Sequence, residues 1–501
     1  MDISIKKFPY RYMEYEKDMM KREIEIMFPH AIPMLDRREP AISNLQEEDL
    51  AKLYWLTFIS EYKVGDQWHE TYQCRVEKDD TLKVAKQHTR YSTHGIHEYK
   101  GKFNPQIVHC MINLFGINEN SRVLDPFNGS GTTILECAHM GIHADGTDIN
   151  PMACFISNAK INALSIDVET AKKSINSFFE TYHGPVESII DSDDLRMGYL
   201  KKWIPEETLR ILEDIREYAD KQDEVLQGLI LTLTSDLIRD YSYQEPFDLR
   251  IRRRKTPMPE APLLQVLKEN INKHLRKIEE IQLCLGPIET ENQAINCDIK
   301  VANPFGGVLF DAALTSPPYV TALPYIDTQR ISLVWLGLCS ADEIRDLEAS
   351  LIGSREMLYK EKNKWNESMA NNEADLPDEL YSLVCEMQSS LSDSDGFRKQ
   401  AVPVLLYRYL SEMKSMFLNV STMLKNGAPY ALIVGHNKTT LGGKRFFLNT
   451  PELLAKLAQS CGWDTEEIIP LETYKRYGIN SKNAIGEESM LVLRNRNSVD
   501  L

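Results

Sequence analysis

The stretch "RVLDPFNGSGTTILECAHMGIHADGTDINPMA", Arg122 to Ala153, leaves few folds open to this chain. "RVLD" is a short apolar strand, and "PFNGSGT" is a turn that glycines at 129 and 131 tighten. "TILECAHMG" is an apolar-faced helix that ends on a glycine cap, and "HADGTDIN" is a second strand ending in Asp148. Strand, glycine turn, helix and strand make half of a nucleotide-binding βαβ unit. The glycines let backbone approach a ligand, and the helix N-terminus favours a carboxylate or phosphate. An acid at the end of the second strand is placed to accept from ribose hydroxyls. The turn is not GxGxxG and has no P-loop lysine, which counts against dinucleotides and ATP.

Strands and helices alternate on both sides of this unit, which predicts an α/β fold with a mostly parallel sheet. Amphipathic helical stretches lie near Tyr15–Met27 and Leu45–Tyr62. Helices are expected at 206–219, 223–240 and 262–283, then strands at Ala294–Ile299 and Val308–Leu314. A polar helical stretch spans about 341–400. A helix at about 404–424, the strand "APYALIVG", a helix at 451–460 and the strand "SMLVLRN" follow. The segments are an N-terminal extension (1–90), a cofactor-binding part of the core (91–155), a helical insertion (156–292), a catalytic part (293–340), a polar insertion (341–403) and a closing part (404–501).

At 501 residues the chain is long for one core, so two or three structural units are expected. No apolar run approaches the roughly 20 residues of a membrane span, and "MDISIKKFPYRYMEYEKD" has no apolar core of a signal peptide. Nine scattered cysteines without a CxxC pair argue for a reducing cytoplasm and against a disulfide or zinc framework. His94 and His97 make no metal site without further ligands. A net charge of -16 opposes general nucleic-acid binding but allows a basic groove on an acidic body. "DLRIRRRKTP" is the one concentrated basic run, with Arg250, Arg252, Arg253, Arg254 and Lys255 suited to phosphate or to a solvated ion-pair surface. "YSYQEPF" just before it could add stacking groups.

A second motif is "LFDAALTSPPYVTALPYI", Leu309 to Ile326. Two consecutive prolines after a buried strand stop regular structure and stiffen what precedes them. Ser316, Pro317, Pro318 and Tyr319 suit either a stiff turn or a bracket that holds something flat against the ring with a polar group aimed at its edge.

"DPFNGSGT" and "TSPPY" resemble the cofactor and catalytic motifs of S-adenosylmethionine-dependent DNA amino-methyltransferases of the N4-cytosine/N6-adenine type. "HEYKGKFNPQIVHCMI" from His97 resembles the helix before the cofactor motif in that family. "NCDIKVANPFGGVLFDAALTSPPY" and "YIDTQRISLVWLGL" resemble the runs on either side of the catalytic tetrapeptide. The likeness covers about 95–155, 294–340 and 404–496. It implies a Rossmann-like class I methyltransferase sheet with an N-terminal extension and a helical insertion. It implies S-adenosyl-L-methionine as cofactor, held by Lys102, Phe103, Asp125, Phe127, Gly129, Gly131, Thr132, Asp148, Ile149 and Asp298. Asp125 is also suited to capping its turn, Asp148 to an ordinary strand end, Asp298 to a loop, and Phe103 and Phe127 to the core. Ser316 and the Pro317 carbonyl would accept the two hydrogens of an exocyclic amino group, and Tyr319 would stack on a base flipped out of duplex DNA.

The expected activity is methylation of N4 of cytosine in DNA, in restriction-modification or phage defence, with no metal and no membrane. N6 of adenine is the alternative, followed by an RNA amino-methyltransferase or a non-catalytic DNA-binding subunit of a defence complex. Partners of such an enzyme would be a cognate restriction endonuclease or defence-complex subunits. The helical insertion is the candidate DNA-contacting region, with the 341–400 stretch second.

Overall fold

A small antiparallel sheet forms at the N-terminal end, in the computed structural model that describes residues 1–78, 87–99, 101–184, 194–320, 324–472 and 487–496. Its strands are β1 (Ile3–Lys7), β2 (Ile32–Met34), β3 (Ala41–Ser43), β4 (Ile59–Val64) and β5 (Gln67–Glu70), in the order β2-β3-β1-β4-β5. The helix expected near Tyr15–Met27 spans Glu14–Met27 and buries Met19, Met20 and Ile24. The second expected helix, Leu45–Tyr62, does not form. Single 3₁₀ turns at Glu47–Asp49 and Lys52–Trp55 lead into β4 instead. The cause is tertiary. The Thr57 backbone and hydroxyl both donate to the buried Glu23 carboxylate, and Ile59 onward pairs with β1 and β5. Those partners outweigh a short apolar periodicity. The small sheet shares one core with the helix Pro105–Leu114: Ile5, Met19 and Phe58 join Ile107, Met111 and Ile469.

The central sheet has seven strands: β6 (Arg122–Asp125), β7 (His143–Asp148), β8 (Gln293–Asn296), β9 (Ala312–Thr315), β10 (Pro429–Gly435), then, after a two-stranded hairpin of β11 (Asn437–Leu441) and β12 (Lys444–Leu448), β13 (Trp463–Glu472) and β14 (Glu487–Asn495). Their order is β13-β14-β10-β9-β6-β7-β8. Strands β8, β7, β6, β9 and β10 are mutually parallel, and β14 alone runs antiparallel to both its neighbours. Strand β8 is shorter than expected and β9 starts later, each by a few residues. Buried Val123, Leu124, Ala312 and Ala313 make the middle of the sheet apolar on both faces, as parallel strands require. Pro429 occupies the first position of β10, where a missing N–H is tolerated.

The chain leaves β6 toward β7 and β8, then returns to the other side at β9 and β10. The direction of winding therefore reverses between β6 and β9, and a crevice opens at their carboxyl ends. Residues 156–292 add helices at Val168–Thr181, Leu195–Trp203, Glu206–Ala219, Glu224–Ile238 and Leu263–Leu285 around a second core. The 341–400 stretch is helical at Ile344–Ser350, Tyr359–Asn371, Asp378–Ser389 and Phe397–Gln400. Among the described residues, no helix is long and apolar enough to cross a membrane.

Candidate active site

The glycine turn closes over the carboxyl end of β6. Gly129 and Gly131 take φ of 50° and 82°, a region that side chains strain to reach. A Cβ on Gly131 would stand 2.1 Å from Ser157 Oγ, so that glycine is needed for packing beneath the turn. Gly129 N–H donates to Asp148 Oδ2 at 2.9 Å, and Asn150 N–H donates to Oδ1 at 2.8 Å. Burial nevertheless raises the Asp148 carboxyl to about 6. Lys160, buried below the turn, donates to the Ser130 carbonyl at 3.1 Å, and burial lowers its ammonium to about 7.

A cleft of about 760 Å³, open to solvent, runs along this turn. Ten of the expected residues form its wall: Lys102, Phe103, Phe127, Gly129, Thr132, Asp148, Ile149, Asp298, Ser316 and Pro318. The sequence motifs thus converge although almost 220 residues separate the first from the last. The donor set fits S-adenosylmethionine. Asp148 presents a carboxylate, Ile149, Ile299 and Ile352 present apolar surface, and the helix Thr132–His139 begins at the same cleft, a mixture that suits a ligand with hydroxyls, a flat ring and a carboxylate. Lys102 donates to the carbonyls of Thr89 and His94, and burial holds its ammonium well below the usual lysine range.

Several wall residues were not foreseen. Tyr99 and Tyr325 stack with ring centroids 6.4 Å apart, and Gly101 fits where a Cβ would meet the Tyr325 hydroxyl at 3.1 Å. Leu351 and Ile352 come from the polar insertion. Their sequence neighbourhood carries no motif, so only the fold reveals them.

Four expected site residues stand outside the wall. Asp125 is fully buried beneath the cleft, where Oδ1 accepts from the Thr315 hydroxyl at 2.5 Å and from Phe127 N–H at 3.2 Å. Burial raises its carboxyl to about 7. It braces β6 against β9 and supports the turn, while its buried Oδ2 has no hydrogen-bond partner among the described residues. Gly131 also lies below the surface, Pro317 is buried, and Tyr319 is half-buried next to the wall residue Pro318.

Ser316 and Tyr319 are held by strands from the other side of the switch point. Ser316 Oγ–H donates to the Ile433 carbonyl at 3.0 Å, which engages its only proton and leaves its lone pairs as acceptors. The Tyr319 hydroxyl donates to Glu488 Oε1 at 2.9 Å, fixing the ring. Burial beside that carboxylate pushes the Tyr319 phenol well up, so it stays protonated. Glu488 lies on β14, about 170 residues away in sequence, and no local signal marks it.

The basic run is a loop between the helices Glu224–Ile238 and Leu263–Leu285. Arg254 is not a free cation: its guanidinium donates to the carbonyls of Ser242, Pro257, Arg239 and Asp240. These bonds hold the loop closed. Arg252 pairs with Asp248 at 3.1 Å but stays exposed, Arg253 lies 4.7 Å from the Trp203 ring centroid, and Lys255 is exposed. Arg250 is half-buried.

His94 does find further donors. Its Nε2 lies 2.6 Å from Glu136 Oε1, and His139, His109 and Tyr91 surround the same fully buried carboxylate. The 2.6 Å separation is that of a direct hydrogen bond, shorter than two ligand atoms about 2 Å from a shared ion would show. Hydrogen bonds from these rings hold the carboxyl of Glu136 well below its usual range despite its burial. His97 lies apart, with Nδ1 3.5 Å from Asp236.

A sheet with this strand order, one antiparallel strand next to its edge and a glycine turn above its switch point defines a class I methyltransferase. The comparisons narrow the class. A family model for DNA methylases of the N6/N4 amino type matches residues 7–159, so the match includes the small N-terminal sheet, which the motifs alone did not. The type II methyltransferase M.MjaII of Methanocaldococcus jannaschii is 32% identical over 31% of each chain, so this chain spans about a third of that relative. M.BsoBI of Geobacillus stearothermophilus is 22% identical over 80% of this chain and 84% of its own, and M.MvaI of Kocuria varians 26% identical over 53% and 63%. TrmN from Thermus thermophilus aligns over 99% of both chains at 9% identity with a TM-score of 0.33, and the fold rests on the strand order instead. Over these stretches the chain is similar to DNA methylases of the N6/N4 amino type and to type II methyltransferases.

Proposed function

We propose that the chain is a site-specific DNA methyltransferase that moves a methyl group from S-adenosylmethionine to the exocyclic N4 of cytosine, in the setting of restriction-modification or phage defence. The observation that carries this reading is Ser316. It directly follows β9 at the cleft wall, and its hydroxyl proton is engaged by Ile433, which leaves its oxygen as an acceptor. When bound, the cofactor supplies a methyl group on a sulfonium, open to in-line attack by a nitrogen. An exocyclic amino nitrogen is a poor nucleophile because its lone pair is conjugated into the ring. Ser316 Oγ and the Pro317 carbonyl accept its two hydrogens and draw it toward a tetrahedral form. Pro317 and Pro318 keep those acceptors fixed, so little reorganisation is needed. Tyr319, tied to Glu488, supplies the face on which the flipped base stacks. On this reading Asp148 binds ribose, Asp298 takes the adenine amino group, and the exposed cations of the 250–255 loop meet phosphates.

N6 of adenine is the alternative acceptor, since the same bracket serves both bases. A serine at the first position of the tetrapeptide favours cytosine: it is short and offers one neutral acceptor to the base edge. A second reading, methylation of an RNA amino group, has one observation in its favour. A tRNA (guanine(10)-N2)-dimethyltransferase of Methanothermobacter thermautotrophicus is 31% identical over 19% of this chain and 26% of its own. Incubation with methyl-labelled S-adenosylmethionine and DNA, RNA or no acceptor separates these readings. Label transferred to DNA supports the proposal; label in RNA alone defeats it.

A further inference from the structure

The hairpin β11–β12 lies outside every motif, yet it is tied to the catalytic loop. Asn437 Nδ2 donates to the Val320 carbonyl at 2.7 Å, directly after Tyr319. Gly435, the last residue of β10, pairs with Glu488, the residue that holds the Tyr319 hydroxyl. The hairpin tip is fixed as well, since Gly442 N–H donates to Asp395 of the polar insertion at 2.6 Å.

Strand alternation gives the hairpin two unlike faces. Leu441, Phe446 and Leu448 are buried in the core beside β10. On the other face Lys438 pairs with Phe447 and Thr440 with Arg445, so these four side chains stand together. Phe447 is 62% exposed, and its ring stacks on His436 with centroids 5.3 Å apart. Among the described residues, Lys438 and Arg445 have no ion-pair partner, although the whole chain carries a net charge of -16. His436 has a buried Nδ1 without a hydrogen-bond partner. Two unpaired cations and an exposed ring stacked on His436, close to Tyr319, match the chemistry of a nucleic-acid strand: phosphates for the cations and a base face for the ring.

We propose that the outward face of this hairpin is a DNA-contacting ledge, with Lys438 and Arg445 on backbone phosphates and the Phe447–His436 stack against the bases next to the flipped one. The inference rests on the reading of the chain as a DNA methyltransferase. It adds a second contact surface, on the opposite side of the sequence from the 250–255 loop.

The test uses the full chain, S-adenosylhomocysteine and a fluorescein-labelled duplex containing genomic sequence, with anisotropy read from 50 to 300 mM NaCl. Lys438→Gln with Arg445→Gln should weaken binding several-fold and lower the slope of log K against log salt by about 2, close to 0.9 per phosphate contact. Phe447→Ala should reduce methyl transfer at saturating cofactor, and Phe447→Trp should restore it. Calorimetry with S-adenosylhomocysteine should show the same affinity in all variants, which reports intact folding. An unchanged slope in the double variant, together with full transfer by Phe447→Ala, overturns the ledge and leaves the methyltransferase reading standing. Absence of salt-dependent duplex binding by the unsubstituted chain overturns both.

Discussion

The two halves of the cleft are built in opposite ways. The cofactor half comes mostly from one continuous stretch, residues 101–149, whose strand, turn and helix fold against each other locally. The target half is assembled from distant pieces: Ser316 on β9, Ile433 on β10, Glu488 on β14 and the hairpin beyond His436. A continuous unit has little freedom, because its turn is packed on Ser157 and bonded to Asp148 and Lys160 just beyond it in sequence. A composite one can change its reader pieces while keeping Ser316 in place. The cofactor half should therefore respond to substitution with lost binding, and the target half with lost turnover at unchanged cofactor affinity.

The largest effect is expected at Gly131. Valine there would push Cβ and its branches into Ser157, 2.1 Å away, at a φ of 82°. Cofactor affinity should fall more than about a hundredfold, with a lower melting temperature as backbone strain and overpacking combine. Calorimetry beside thermal unfolding checks both, and near-normal binding would break the contrast at its strongest point.

Asp148→Ala should weaken cofactor binding about ten- to a hundredfold, the worth of one or two charge-assisted hydrogen bonds at roughly 1.5–3 kcal/mol. The same carboxyl predicts a pH dependence. Its folded pKa is raised from 3.8 to about 6, so below pH 6 it becomes protonated and accepts ribose hydroxyls poorly. Affinity should fall as pH drops from 7 to 5, and the Asp148→Asn variant should lose that slope. The sign for stability is opposite: the raised pKa favours the folded state at low pH, and that contribution is lost as pH rises from about 4 through 6.

Ser316→Ala and Tyr319→Ala should reduce turnover tenfold or more while calorimetry shows cofactor affinity within about twofold of the parent. Tyr319→Phe, which keeps the ring and loses only the bond to Glu488, should fall between. Loss of cofactor binding in the Tyr319 variants would merge the two halves into one.

The smallest effects are expected in the basic loop. Arg252→Gln, Arg253→Gln and Lys255→Gln together should flatten the salt dependence of duplex binding and leave the fold intact. Arg254→Gln should instead destabilise the protein by about 1–3 kcal/mol, because four carbonyls lose their donors. Equal behaviour of the triple variant and Arg254→Gln would count Arg254 among the contact residues.

How much could be read from sequence follows the same division. Residues 122–153 and 316–319 were legible because turn glycines, apolar strands and paired prolines impose local geometry. Helices at 206–219 and 262–283 were legible from their apolar period and appear within a few residues. Leu45–Tyr62 was misread because Glu23, far away in sequence, claims the Thr57 backbone. Asp125 was assigned a ligand contact, and the fold buries it between β6 and β9. Glu488, Leu351, Ile352 and the hairpin face could not be found, since each acquires its role only through strand pairing or the docking of an insertion.

The most direct test is chemical. Duplex DNA is incubated with the chain and S-adenosylmethionine, digested to nucleosides and analysed by mass spectrometry. The account predicts N4-methylcytosine, lost in the Ser316→Ala variant. N6-methyladenine would contradict the base assignment, and a modified ribonucleoside alone, or no modified nucleoside from a chain that binds cofactor, would contradict the assignment to DNA methylation.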